Sequence, residues 1–243
     1  MRTLAFAKRS AREILRDPLT LFFGLGFPAV LLLLLSMIQK NIPVPLFEIQ
    51  RLAPGMAIFG LTFMTLFSAT LIARDRESAF LQRLYVSPMQ SRDFILGYML
   101  PMVPIALGQG IFCFAVGALL GLSVTWNLIA ALFLLIPCGV FFVALGLLFG
   151  CVLNQKQVGG ICGALLTNVA AWLSGLWFDL DLLGNWFSDA AKALPFYHGV
   201  RMVQLAAEGH FSQAMPHLLW VAVYAVLALL VAILLFLGQR RRQ

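Results

Sequence analysis

Residues 74–93 read RDRESAFLQRLYVSPMQSRD, the longest charged interruption between two strongly apolar runs of the chain. Phe80, Leu81 and Leu84 lie one and four residues apart, so a short helix places them on one stripe. Pro88 ends that helix, because proline lacks the N–H and disfavours helical geometry at the preceding residue. The pattern predicts a charged helix with an apolar stripe, tied to two membrane-spanning helices. The alternative interpretation is a solvated loop that only joins the two apolar runs.

The composition of the whole chain places those apolar runs in a membrane. Of its 243 residues, 61% are hydrophobic and 11% are charged, whereas soluble domains carry roughly 25% charged residues. The net charge of +7 does not indicate nucleic-acid binding, because the basic residues cluster beside the ends of apolar runs, as in membrane proteins. The cysteines form no metal-binding pair or secreted disulfide pattern and are interpreted as small core residues. They are Cys113, Cys138, Cys151 and Cys162.

The apolar runs predict an all-α polytopic membrane protein with six transmembrane helices. Each run has about the 20 residues needed to cross a bilayer. The predicted spans are 19–39, 52–73, 94–121, 126–152, 157–178 and 215–238.

Two further segments are predicted to lie at the membrane surfaces. Residues 1–18 form an amphipathic interface helix in contact with membrane lipid, with Arg9, Arg12 and Arg16 on its basic face. Residues 179–214 are too apolar for a free loop and too interrupted for two spans, so they predict a pair of short re-entrant helices that divide near Pro195. A small folded external cap is the alternative for this segment.

The distribution of Lys and Arg predicts the orientation of the chain. The two termini and the loops after the second and fourth predicted spans together carry thirteen of these residues. The loops on the other side of the membrane carry four, so the termini and residues 74–92 are predicted to be cytoplasmic. The four are Lys40, Arg51, Lys192 and Arg201.

The sequence has none of the motifs that would give this chain a motor or a catalytic site. It contains no G-x-x-x-x-G-K-[ST] phosphate loop, and the spacing of His198, His210 and His217 matches no metal motif. We therefore expect no bound cofactor or metal, and structural or interfacial roles for these histidines. The predicted spans also lack deeply placed charged residues, which ion-coupled transporters require. Transport would need energy from another protein.

The polar and aromatic side chains of two spans suggest where a solute could pass. The candidate path residues on the second span are aromatic or hydroxyl-bearing, and those on the fifth are an amide and an indole. The alternative is that the aromatic residues face lipid or the protein core. The set is Phe59, Thr62, Phe63, Thr65, Asn168 and Trp172.

Four segments, in order, resemble the membrane subunit of type-2 ATP-binding-cassette (ABC) exporters. They are LAPGMAIFGLTF at 52–63, ARDRESAFLQRLYVSPMQSRDFILGYML at 73–100, WLSGLWF at 172–178 and LPFYHGVR at 194–201. The resemblance covers nearly the whole chain. Ser78-Ala79 stands where the family often has Gly-Thr, and Gly184-Asn185 precedes Trp186 where a proline is usual. These departures bear on detailed contacts.

The resemblance implies a function and a set of partners. Residues 1–243 are expected to form one permease domain that pairs with a second permease subunit and with an ABC ATPase subunit, which holds ATP and Mg. The chain itself is expected not to be an enzyme. It would export a solute across a plasma membrane, the bacterial inner membrane in particular. The apolar, weakly polar spans suit an amphipathic drug, peptide or lipid-like solute better than a sugar chain. The alternative is an accessory membrane protein or channel without an ATPase partner.

The same resemblance identifies the loop after the second span as the segment that couples the ATPase to the spans. The interface helix is expected to dock beside it. The expected coupling residues are Arg74, Asp75, Arg76, Glu77, Phe80, Leu81, Arg83, Leu84 and Pro88.

Overall fold

A computed structural model describes residues 2–78, 80 and 91–241, and all regular structure in these residues is helical. The α-helices are α1 (Arg2–Arg16), α2 (Pro18–Leu21), α3 (Phe27–Gln39), α4 (Ile49–Glu77), α5 (Ser91–Met99), α6 (Met102–Leu119), α7 (Asn127–Val152), α8 (Gln155–Val158), α9 (Leu166–Leu173), α10 (Asn185–Lys192), α11 (Pro195–Ala207) and α12 (Phe211–Arg241). Phe22–Gly26 and Gly159–Leu165 are π-helical, and Leu180–Leu183 form a 3₁₀ turn.

Five helical stretches in the described part of the chain are long and apolar enough to cross a membrane. They are Phe22–Gln39, Ile49–Glu77, Asp93–Leu119, Asn127–Val152 and Phe211–Gly238. They match the predicted spans one, two, three, four and six, and so confirm a multi-pass helical protein. The predicted fifth span coincides with α8, the second π-helix and α9 in succession, but this stretch begins with three polar residues and ends at Leu173. The count of six remains a prediction.

The helix α4 is the central element of the fold. It is largely buried, with α7, α6, α11 and α3 among its neighbours. Gly146 of α7 faces α4 so closely that a Cβ atom there would lie 2.7 Å from the carbonyl oxygen of Thr65. Thr65 Oγ1 in turn donates a hydrogen bond of 2.8 Å to the carbonyl of Phe142 on α7. Small residues thus let these two backbones approach, as in many membrane helix pairs.

Proline and π-helical turns interrupt the first and third spans. Helix α5 ends at Met99 and α6 begins at Met102, so the third span is divided at Leu100–Pro101. Proline removes the backbone hydrogen bond to the carbonyl four residues earlier, which explains the division. Pro54 and Pro137, in contrast, lie inside continuous helices.

The segment predicted to be re-entrant contains short helices that divide at the predicted residue. Helix α10 ends at Lys192 and α11 begins with Pro195 at its first turn, where the missing N–H removes no helical bond. The last span starts at Phe211, inside the predicted segment 179–214. The insertion of α10 and α11 into a membrane remains a prediction.

Candidate functional site

The end of α4 carries a buried carboxylate, Asp75, whose side chain is 2% exposed. Both guanidinium nitrogens of Arg9 on α1 donate to it, Nη1 to Oδ2 and Nη2 to Oδ1, each at 2.6 Å. Tyr98 of α5 donates its hydroxyl to Oδ2 at 2.7 Å. Two-pronged bonds between Arg and a carboxylate combine charge attraction with a fixed orientation. Asp75 therefore holds α1, α4 and α5 in one register.

Arg9 is itself enclosed by groups from three segments. Its Nη2 donates to Glu13 Oε1 at 2.7 Å, one helical turn further along α1. Its guanidinium lies 4.2 Å from the centre of the Phe80 ring. Phe80 is the first described residue after Ser78. A cation over an aromatic face is attracted by the ring quadrupole. The start of the loop predicted to contact the ATPase is therefore held against α1.

Helix α1 packs on α5 through an aromatic contact that depends on a glycine. The Phe6 ring meets Tyr98 edge to face, with centroids 4.9 Å apart. A Cβ atom at Gly97 would lie 2.2 Å from the Phe6 ring, so only glycine admits this approach. Thr3 Oγ1 adds a 2.6 Å hydrogen bond to Asp93 Oδ1.

The next two residues of α4, Arg76 and Glu77, contact the end of α7 and the start of α8. Arg76 donates to the carbonyl oxygens of Cys151 and Leu153, where α7 ends. Glu77 Oε1 accepts the N–H of Gln155 at 2.8 Å, where α8 begins. A cation at a helix C-terminus and an anion at an N-terminus both complement the helix dipole.

We call Arg9, Asp75, Arg76, Glu77 and Tyr98 the junction. Within one turn of α4 it connects the middle of α1, the ends of α5 and α7 and the start of α8. A displacement of the residues that follow α4 would therefore be transmitted to several membrane helices at once, because packed interfaces shift between discrete arrangements and do not stretch.

The structure places the other predicted coupling residues as follows. Arg74 is exposed, beside a small crevice that Glu13 and Asp17 also line. Arg12 and Arg16 are exposed on α1. Leu81, Arg83, Leu84 and Pro88 lie outside the described residues.

The predicted solute-path residues fall into two groups. Four are buried within the chain along α4, where Thr62 Oγ1 bonds the carbonyl of Phe59 and Phe59 and Phe63 contact each other; these four are Phe59, Thr62, Phe63 and Thr65. Asn168 and Trp172 lie at the surface, Trp172 with 57% of its area exposed. The structure therefore does not bring the six residues together around one open path.

The other end of the molecule, predicted to be external, contains a polar cavity of about 390 Å³. The ion pair between Lys192 and Asp181, at 2.9 Å, lies at its wall. Hydrogen bonds from Ser188 and from Lys192 lower the pKa of the Asp181 carboxyl. Among the described residues, no group of three or more His, Cys, Asp or Glu side chains is arranged to hold a metal.

Two of the histidines join α11 to the last span, α12. His198 of α11 and His217 of α12 are 2.7 Å apart at their Nδ1 atoms. His198 Nε2 lies 2.8 Å from the carbonyl of Lys192 and therefore donates to it. His198 also stacks on Trp220, with ring centroids 4.8 Å apart. Burial lowers the pKa of His198, and the pair links α11 to α12.

Sequence reasoning did not identify Arg9 as the partner of Asp75, or Tyr98 as a member of the junction. Helical periodicity places Arg9 on the same face as Arg12 and Arg16, and Tyr98 lies within an apolar run. Neither position carries a signal of its own, since the partnership depends on how α1 packs against α4 and α5.

The chain is similar to known membrane transport proteins. The family model described as ABC-2 type transporter matches residues 1–207. A protein of Porphyra purpurea that carries the name transport permease ycf38 is 28% identical over 247 residues, which cover 96% of this chain and 83% of that protein. The protein of the same name from Pyropia yezoensis is 30% identical over 155 residues, or 60% of this chain and 53% of that protein.

Proposed function

The chain belongs to the ABC-2 type transporter family, and we propose that it is the transmembrane subunit of an ATP-driven exporter. ATP is hydrolysed, with Mg²⁺, on a separate ABC ATPase subunit that docks at the cytoplasmic end of α4. The permease subunit contributes binding surfaces and moving helices and performs no catalysis of its own. The transporter contains two such permease subunits, identical or related.

The junction is the observation that supports this proposal. A force applied to residues 78–92 reaches α4 directly, and α4 is tied there to α1 by Arg9 and to α7 by Arg76. Phe80, packed under Arg9, continues this connection into the loop. The predicted coupling helix, with Leu81 and Leu84 on its apolar stripe, would fit a groove on the ATPase. Apolar and Arg anchors of this kind dominate the binding energy of many interfaces.

The solute that best fits the chain is amphipathic: a drug, a peptide or a lipid. The described spans offer apolar walls and isolated hydroxyl and amide groups. Asn168 and Trp172, at the surface of one subunit, are available to line a path between two subunits. The four buried residues on α4 would join such a path only after α4 and α7 move apart.

The proposed location is the plasma membrane of a cell, the bacterial inner membrane in particular, with both termini cytoplasmic. The short helices α10 and α11 would then enter the outer leaflet and help to close the exit.

The test is affinity purification of the tagged chain from its own host, with quantitative mass spectrometry of the proteins that remain bound. We expect the wild-type chain to retain a protein with a phosphate-binding loop, and the Leu81→Asp/Leu84→Asp double variant to lose it. The Leu182→Asp/Leu183→Asp variant is the matched control, because both leucines are exposed at the opposite end. Equal retention by the wild type and by the Leu81/Leu84 variant would refute docking at this loop.

A further inference from the structure

A second cavity, of about 420 Å³, lies between α1 and the first three spans. Ile14 and Leu15 of α1, Gly24 of the first span, Phe67 of α4 and Phe112 of α6 contribute to its walls. Its volume is within the range of small-molecule sites, about 300–1,000 Å³. The cavity lies on the α1 side of the membrane helices, next to the predicted interface helix.

Among the described residues that line the cavity, Gln109 of α6 has the one polar side chain. Gln109 is 0% exposed, and its Nε2 donates to Cys113 Sγ at 3.3 Å. Its Oε1 has no hydrogen-bond partner among the described residues. A buried acceptor without a donor loses its hydration without compensation, so a group that supplies a donor would be stabilised there.

The backbone around the cavity is irregular on two sides. Gly24 belongs to the π-helical turn Phe22–Gly26, and Pro101 and Pro104 of the third span also line the cavity. π-helical turns occur frequently at functional sites, and prolines break the regular ladder of helical bonds. Both the first and the third span therefore depart from regular α-helix beside the cavity.

The chemistry of the cavity wall suits an apolar molecule better than water. Leu15 is 54% exposed and Phe112 is 41% exposed at its edge. A buried water needs two to four polar partners, whereas the described side chains of the wall provide one, Gln109. The occupant must bring its own apolar body and one hydrogen-bond donor.

We propose that this cavity binds an amphiphile with the chemistry of a long-chain alcohol. Its alkyl chain lies along Phe67 and Ile14 beside α6, and its hydroxyl donates to Gln109 Oε1 once the amide, which is buried in the structure, turns toward the cavity. The site does not depend on the proposed export activity. A membrane lipid with a free hydroxyl and a transported solute share this chemistry.

The experiment uses the full chain in phosphatidylcholine vesicles, which supply no hydroxyl of their own. The probes are hexadecan-1-ol and hexadecane, each with a diazirine in the middle of the chain, and mass spectrometry counts the label in residues 101–112. We expect the alcohol to label this segment more than the alkane. Gln109→Leu should lower labelling by the alcohol about three- to tenfold, the effect of one hydrogen bond, and leave labelling by the alkane unchanged.

Gly108→Leu tests the cavity itself. Gly108 lines the cavity and a Cβ atom there meets nothing within 4 Å, so leucine is the substitution chosen to occupy the space. We expect it to abolish labelling by both probes. Gly160→Leu is the control, since Gly160 also has open space and lies outside the cavity. Equal labelling by alcohol and alkane, or full labelling of the Gly108→Leu variant, would overturn the proposal.

The two sources of the ligand are separated in the complex with the ATPase. Addition of ATP and Mg²⁺ lowers labelling by the alcohol if the site holds transported solute, and leaves it unchanged if the site holds a resident lipid. The labelling experiment on the chain alone does not require an ATPase. If the chain is recovered without an ATPase, the proposed function fails, but the test of this site can still be made.

Discussion

At the scale of single residues, the junction depends on Asp75. Its carboxylate accepts two hydrogen bonds from Arg9 and one from Tyr98 and is almost fully buried. A buried charge is stable only while its partner remains, because an unpaired charge loses its hydration without compensation. Arg9 and Asp75 therefore stabilise the packing of α1 only as a pair.

We predict that Asp75→Asn destabilises the chain, because Arg9 loses its buried counter-ion and keeps the partly exposed Glu13. Breaking a buried pair costs about 3–5 kcal/mol, and we expect the lower end because the Arg9 side chain remains 29% exposed. The measurement is the free energy of unfolding in mixed micelles. Asp189→Asn, at an exposed position on α10, is the control. A loss no larger than in the control would contradict the proposed role of the pair.

The residues of the junction could be predicted from the sequence only in part. The sequence identifies Asp75, Arg76 and Glu77 as charged residues directly after an apolar run. It does not predict the different surroundings of their side chains. Asp75 is buried, Arg76 binds carbonyl groups and Arg74 is exposed. Four successive residues of a helix point in four directions, and which neighbour each one meets depends on tertiary packing.

At the scale of helices, the contact between α4 and α7 depends on small residues. A Cβ atom at Gly146 would lie 2.5 Å from Ser68 Cβ, and one at Gly150 would lie 2.9 Å from Ile72 Cβ. Both distances are too short for real atoms, so the two backbones would have to separate.

We predict that Gly146→Ala lowers stability by about 1–3 kcal/mol, the cost of overpacking a close contact. Gly160→Ala, at a position with open space, should leave stability unchanged or raise it by about 0.5–1 kcal/mol through the lower chain entropy of alanine. Unfolding in mixed micelles compares the two variants. Equal stabilities would show that α4 and α7 tolerate a wider separation.

Helix types and most helix positions follow from hydropathy, whereas irregular geometry does not. The apolar runs predict spans one to four and the last span to within a few residues. The second span extends past the predicted residue 73 to Glu77, because Asp75 and Arg76 find partners that keep the helix intact. The π-helical turns and the cavity beside Gln109 require several helices at once, and no local pattern encodes them.

At the scale of the whole molecule, the arrangement of helices gives the chain two distinct ends. The junction and α1 lie at one end, and the polar cavity with α10 and α11 lies at the other. The excess of Lys and Arg predicts that the first end is cytoplasmic.

This orientation is testable with single cysteines. The four native cysteines are buried, so a membrane-impermeant maleimide should react mainly with introduced ones. We predict that Leu182→Cys is labelled on intact cells, and that Arg12→Cys is labelled only after the membrane is permeabilised. The reverse pattern would invert the topology and remove the junction from the cytoplasm.

The central claim is that ATP hydrolysis on another subunit drives this chain through the junction. Its most direct test is size-exclusion chromatography of detergent-extracted host membranes, with ATP hydrolysis assayed across the fractions that contain the chain. We predict that ATPase activity elutes in the same fractions as the chain, at the size of a four-subunit complex. The ratio of activity to the amount of chain should be constant across these fractions. If the chain elutes without ATP hydrolysis under conditions that preserve other transporters, the claim is wrong and the chain acts without an ATPase.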